Sequence, residues 1–360
     1  MGWRMAGTIV LGVLMLGALA FWLLKRWMDQ PLYTPGSVRA AHDLSSPLDP
    51  PAAAAHPNGY VEMGAGVQLF TFKDGQGGRV VVLHGGPGIP PSHPWTGLHA
   101  LADRFAFSYY HQRGCGRSTR PFERLPAGST YKRMQLLHQT LGLPAQLGDI
   151  ERLRRAWGET RLTLIGHSFG ALLASLYAAE FPARVRALVL VAPAPLIVMP
   201  PAGGDLLDEI RCELEEPERV RYQEFLGRYM DFQSVLDGDE RSVAALNREF
   251  GSFYAQVAQK HGMAMTDSGA ALEDIGGFVV PALYLSLGRR HDWSGFLRNV
   301  QAPVLVLHGE RDLQSEQASR AHAELFPRCR FEVIRGAGHF PFEDQPEAFA
   351  AAVAGFLEES

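Results

Sequence analysis

A hydroxyl, an acid and an imidazole recur in this chain at places where they could act together. Gly166-His167-Ser168-Phe169-Gly170 is a G-x-S-x-G pattern. It follows the apolar run Leu162–Ile165 and opens a small-residue stretch, GALLASLYAA. A strand that breaks at a glycine, shows one serine and then turns helical can hold that hydroxyl up on a strained turn, clear of the backbone. A serine hydroxyl is a weak nucleophile unless a base takes its proton and a third group orients the base.

Candidates for both partners lie downstream in the chain order Ser, acid, His that suits a strand–turn–helix nucleophile. His308-Gly309-Glu310-Arg311-Asp312 follows the strand pattern Val304–Leu307, and Gly336-Ala337-Gly338-His339 follows Arg330–Ile334. Asp312 is assigned as orienter and His339 as general base. Glu310 is a reserve acid that follows its strand closely and reads more simply as a solvated turn residue. His167, beside the serine, reads as a packing residue.

A tetrahedral intermediate also needs donors for its oxyanion. The amide of Phe169, next after the serine, is one. The second is expected from the glycine loop His84-Gly85-Gly86-Pro87-Gly88 after an early strand, where the Gly86 amide is sterically bare. Cys115 lies in a neighbouring loop with no base assigned to it and is read as a packing residue.

These segments require a scaffold of alternating strands and helices. Strands are predicted at Arg79–Leu83, Phe105–Tyr110, Leu162–Ile165, Ala187–Val191, Val304–Leu307 and Arg330–Ile334, after a hairpin of GYVEM and VQLFTF. Helical stretches are predicted near Gln146–Ala156, Ala171–Phe181, Ser315–Leu325 and Glu347–Leu357. The alternation implies an α/β fold with a mostly parallel sheet covered on both faces. Residues 59–192 and 302–360 are assigned to that core, and residues 193–301, where charged helical sequence replaces the strand pattern, to an inserted helical cap.

The chain has 360 residues, 46% of them hydrophobic and 20% charged, with a formal net charge of −4. That is enough to bury a large core, and it provides no basic footprint for nucleic acid. Met5–Leu24 carries no charge and is flanked by Arg4 on one side and Lys25 and Arg26 on the other. About 20 apolar residues suffice to span a bilayer, so residues 1–28 are read as a single-pass membrane anchor. A cleaved signal, placing the enzyme in a secreted or periplasmic compartment, is the alternative. Residues 29–58, rich in proline and alanine, are read as an extended linker.

Cys115, Cys212 and Cys329 show neither a CxxC nor a metal spacing, and there is no HExxH, Walker or dinucleotide glycine motif. No metal site is assigned.

HGGPG (84–88), HQRGCGRS (111–118), GHSFG (166–170), HGERD (308–312) and GAGHF (336–340) resemble the alpha/beta-hydrolase superfamily, specifically its proline iminopeptidase-like branch, peptidase family S33. The resemblance runs from about Gly59 to the carboxyl terminus. It implies an alpha/beta-hydrolase fold with a helical cap, a serine hydrolase without metal or organic cofactor, and release of an amino-terminal proline or other residue from short peptides. His111 stands where the family usually has Asp, and His167 and Phe169 replace the usual Gly and Trp around the serine. The family's cap glutamates hold the substrate ammonium, and in ALNREFG (245–251) Glu249 is the candidate for one of them. An ordinary salt bridge on a cap helix is the alternative for Glu249. A match for the second glutamate is lacking.

Two further readings stay open beside the aminopeptidase. One is a carboxylesterase or lipase-like enzyme with the same site under an apolar cap, and the other is a binding protein that kept the fold without the chemistry. Epoxide hydrolase or dehalogenase chemistry would need a carboxylate where Ser168 stands.

Overall fold

The computed structural model describes residues 29–41, 59–201, 206–261, 263 and 273–360. The apolar run Met5–Leu24 lies outside the described residues, and so does the linker sequence 42–58. Among the described residues no helix is long and apolar enough to cross a membrane.

Among the described residues ten strands form in chain order: β1 (Tyr60–Gly64), β2 (Val67–Asp74), β3 (Gly78–Leu83), β4 (Phe105–Tyr110), β5 (Leu162–His167), β6 (Val185–Val191), β7 (Val198–Met199), β8 (His291–Asp292), β9 (Val304–Gly309) and β10 (Cys329–Ile334). Eight of them make one sheet in the order β1-β2-β4-β3-β5-β6-β9-β10. β1 and β2 are antiparallel to their neighbours, and every pairing from β4 to β10 is parallel. The central strands read as unbroken apolar runs because both of their faces are covered. β5, β6 and β9 are buried almost throughout.

One face carries the helices Leu143–Ala156 and Phe169–Glu180 over Val81, Leu164, Leu188 and Val306. The other carries Trp95, Leu98 and the helix Pro346–Glu359 over Val80, Ile165, Val189 and Leu305.

Register fixes where the loops emerge. Leu83 pairs with Gly166, His167 with Val191, Val191 with Leu307, and Gly309 with Ile334. The loops after β3, β5, β9 and β10 therefore leave the same edge of the sheet, the carboxyl edge at which open α/β sheets bind ligands.

The sequence between β6 and β9 folds into the helices Leu206–Glu213, Glu218–Tyr229, Phe232–Asp237, Glu240–Lys260, Val279–Leu287 and Ser294–Leu297. Its two ends are drawn together where β7 pairs with β8. Leu206–Glu213, Glu218–Tyr229 and Glu240–Lys260 close on their own cluster around Tyr222, Phe225, Phe253 and Tyr254, while Val235 and Leu236 of Phe232–Asp237 pack with Leu137 and Phe278. Val279–Leu287 behaves differently, because Val279, Val280, Leu283 and Leu287 join the main core.

The linker expectation needs correction for residues 29–41. Instead of an extended spacer this segment docks on the core, with Tyr33 and Val38 buried and Ser37–Ala41 helical. The carboxylate of Glu180, fully buried at the end of the helix Phe169–Glu180, accepts from Tyr33 Oη (2.8 Å) and from the amides of Gly36 (2.8 Å), Val38 (3.3 Å) and Arg39 (3.0 Å). Tyr33 packs edge-on to Trp293, and its amide donates to Ser286 O. A buried carboxylate is tolerated where donors compensate for its lost hydration. The strap supplies four of them.

Candidate active site

Ser168 sits at the sharp turn between β5 and the helix Phe169–Glu180, with φ 53° and ψ −116°, and only 7% of it is exposed. A positive φ at a non-glycine residue is strained and persists only where its surroundings enforce it. Here the surroundings are the two flanking glycines. A β-carbon on Gly166 would strike the backbone of Gly170 and Ala171, and one on Gly170 would strike the carbonyls of Leu83 and His84. The elbow closes only because both positions lack side chains, which lets the helix start directly against the end of β3.

Asp312 and His339 come together as the sequence requires. His339 Nδ1 lies 2.9 Å from Asp312 Oδ2, and the Asp312 carboxylate is fully buried. Its other oxygen accepts the Gln314 amide at 2.9 Å. With Nδ1–H donating to the carboxylate, Nε2 carries the free lone pair that a base needs. Among the described residues the Ser168 hydroxyl makes no hydrogen bond. In free enzymes such contacts are commonly long and tighten when substrate binds. Glu310 accepts the exposed Gly336 amide at 2.8 Å, so it braces the loop that carries His339 rather than orienting the ring.

His167 does more than pack. Its Nε2–H donates to the His339 carbonyl at 2.8 Å, and its ring lies 4.7 Å from the His339 ring, walled by Trp95, Phe340 and Phe342. It therefore fixes the main chain of the candidate base from the residue next to the candidate nucleophile.

The glycine loop meets the serine from the β3 side. A β-carbon on Gly85 would lie 2.9 Å from the His167 carbonyl and 3.0 Å from Ser168 Cβ, so the chain entering Gly86 runs against the elbow. Among the described residues, neither the Gly86 nor the Phe169 amide donates a hydrogen bond. Both of the amides expected to hold an oxyanion are free to do so.

The remaining motif residues are structural. Arg113 forks onto the buried carboxylate of Asp149 through Nε (2.5 Å) and Nη2. His111 accepts the Arg117 amide at Nδ1 (3.0 Å) and contacts the Pro91 carbonyl through Nε2 (3.1 Å), so the ring is neutral, with the proton on Nε2. The Cys115 thiol is buried against Gln112 O, and burial pushes its pKa upward, away from the thiolate. Glu249 does not join the cluster. It is 36% exposed and pairs with Arg228 at 2.5 Å, the salt-bridge alternative of the sequence reading.

From the cap, the group that reaches His339 is Tyr254, on the helix Glu240–Lys260, with its ring centroid 6.1 Å from that of His339. The sequence carried little sign of it beyond an apolar stripe on an amphipathic helix.

The buried histidines imply a specific acid response. Burial lowers the pKa of His84 to about 3 and those of His111 and His322 to about 4, from an ordinary value of 6.5. As pH falls through 6.5 the unfolded chain takes up these protons while the native state refuses them, so stability declines from about pH 6.5 toward 4. The His111 and His322 contributions level off below that. Thermal melting between pH 7.5 and 4.5 is expected to show a progressive fall in midpoint, with a shallower slope in His322→Gln. Identical slopes for the variant and the parent would count against this account.

Comparison with known proteins places this geometry. Residues 78–346 match the alpha/beta hydrolase fold family. The chain belongs to that family. It is 26% identical over 306 residues to the proline iminopeptidase of Heyndrickxia coagulans, covering 83% of this chain and 98% of the relative. Among solved structures it resembles a thermophilic esterase from Thermogutta terrifontis, with TM-score 0.51 and 22% identity over 81% of this chain and 94% of the esterase. It also resembles a membrane phospholipase A, with TM-score 0.55 and 21% identity over 98% of both chains. The alpha/beta-hydrolase scaffold and these relatives make the chain a hydrolase, similar to the proline iminopeptidases in sequence and to esterases in fold.

Proposed function

We propose that this alpha/beta hydrolase is a serine hydrolase that cleaves carboxylic esters through an acyl-enzyme. His339 Nε2 takes the Ser168 proton as Oγ attacks the carbonyl carbon, and the Gly86 and Phe169 amides hold the oxyanion. Collapse of the intermediate breaks the bond to the alkoxy oxygen, which leaves with the proton from His339. Water then repeats the sequence, releasing the acid and regenerating Ser168.

The observation that carries the ester reading is the state of the cap. Glu249, the candidate for holding a substrate ammonium, is paired with Arg228, and among the described cap residues the ring against His339 is the uncharged Tyr254. Held from the cap side, a buried substrate ammonium would have to take Glu249 away from Arg228, which is costly. The second reading, a proline iminopeptidase-like aminopeptidase, is favoured by the likeness to the Heyndrickxia coagulans enzyme along nearly that protein's whole length.

We infer further that Met5–Leu24 anchors the enzyme in a membrane. Its length and lack of charge support this, as does the match to a membrane phospholipase A over 98% of the chain. One experiment addresses both points. Carbonate-washed membranes from cells expressing the full chain are assayed side by side with p-nitrophenyl butyrate and prolyl-β-naphthylamide. Ester hydrolysis in the pellet, absent with Ser168→Ala and without amide hydrolysis, is the expected result. Amide hydrolysis alone would give the function to the aminopeptidase, and activity confined to the supernatant would remove the anchor.

A further inference from the structure

Two polar atoms next to the candidate base are buried without partners. Tyr254 is 8% exposed, and its hydroxyl has no hydrogen-bond partner. Asp344 holds the Gly338 amide with Oδ2 at 2.8 Å, while Oδ1 is buried and unpaired. Buried polar atoms are ordinarily satisfied, so these two, on residues that flank the His339 segment and are close enough for the Asp344 charge to act on Tyr254, point to a partner that is not part of the protein.

The location identifies that partner's chemistry. Tyr254 lies against the His339 ring from the cap side. Asp344 holds the residue just before His339 from the core side. Both flank the base that delivers a proton to the departing alkoxide, so they border the alcohol portion of an ester rather than its acyl chain. Burial, together with the charges of Asp312 and Asp344, raises the Tyr254 pKa far above its ordinary value, so the phenol keeps its proton and can donate. An anionic group would meet repulsion from Asp312, Glu343 and Asp344; burial, with the charges of Glu343 and Asp312, raises the Asp344 pKa. One donor and one acceptor with no cation between them suit a neutral hydroxyl.

We propose that Tyr254 and Asp344 form a subsite for a free hydroxyl on the alcohol portion of the ester. The phenol donates to that hydroxyl's oxygen, and Asp344 Oδ1 accepts its proton in a hydrogen bond. The subsite rests on the ester reading above and narrows it to esters of polyols of the glycerol type.

Glycerol monobutyrate and propyl butyrate share the acyl chain and the number of alcohol carbons, and differ in the free hydroxyls. The full-length enzyme in detergent is expected to favour the glycerol ester about tenfold in kcat/KM, the worth of one satisfied hydrogen-bond pair. In Tyr254→Phe that ratio falls to about twofold or less, mainly through KM, and Asp344→Asn lowers it as well. The melting midpoint of Tyr254→Phe stays level or rises, because an unsatisfied hydroxyl has been removed. A tenfold preference surviving in Tyr254→Phe overturns the subsite. So does an equal loss on both esters with a lower melting midpoint, which assigns the hydroxyl a structural role. If the parent enzyme hydrolyses neither ester, the ester reading itself fails and the subsite goes with it.

Discussion

Ser168→Ala is expected to reduce the proposed ester turnover by roughly 10⁵–10⁶-fold, the scale on which serine hydrolases lose activity when the nucleophile is removed from an otherwise intact site. The size follows from the way the parts depend on one another. In the proposed mechanism, once the hydroxyl is gone His339 has no proton to accept and the free Gly86 and Phe169 amides have no covalent intermediate to hold. The alanine variant keeps the elbow, because the close approach is made by Gly166 and Gly170 and not by the serine side chain. A fluorophosphonate probe gives the direct readout. Labelling of the parent, and none of a variant with the same melting profile, is the expected outcome. Labelling that persists in Ser168→Ala would place the nucleophile elsewhere.

Asp312→Asn is expected to cost roughly 10³–10⁴-fold in kcat while leaving the fold in place. An amide at this position can turn its NH₂ toward His339 Nδ1, which then accepts instead of donating. The ring proton moves to Nε2, the nitrogen that has to take a proton from Ser168. The same substitution separates the two acids of the loop after β9. Glu310 braces the Gly336 amide, so Glu310→Gln should slow turnover by less than about tenfold, within the range of one surface hydrogen bond. If the larger loss came from Glu310→Gln, the orienting role would pass to that residue.

The two halves of this site were legible to different degrees. Strand ends could be read because parallel strands buried on both faces are short apolar runs that stop at glycine, and β4 falls on the residues expected of it. Ser168 and Asp312 each follow such a strand, and His339 follows the half-buried edge strand β10, so their convergence at one edge follows from register. Tyr254 and Asp344 had no comparable signal, since Tyr254 lies within an ordinary amphipathic helix and Asp344 ends the single turn Pro341–Asp344. Their position against His339 is set by how the helices pack, which sequence periodicity does not encode. The segment Asp29–Ala41 was misread because proline and glycine in LYTPGSVR suggest a flexible spacer, whereas here they shape a turn that presents amides. The informative clue lay elsewhere, in Glu180, a carboxylate at the end of an otherwise apolar helix.

That helix joins two matters usually kept apart. Its first residue follows Ser168, and its last is Glu180, about 18 Å away at 1.5 Å per residue. One end presents the hydroxyl of the candidate nucleophile, and the other holds the segment Asp29–Ala41 through Glu180. That segment and the candidate nucleophile thus belong to one rigid strut. A chain shortened past Ala41 would leave that carboxylate buried without the donors that keep it there.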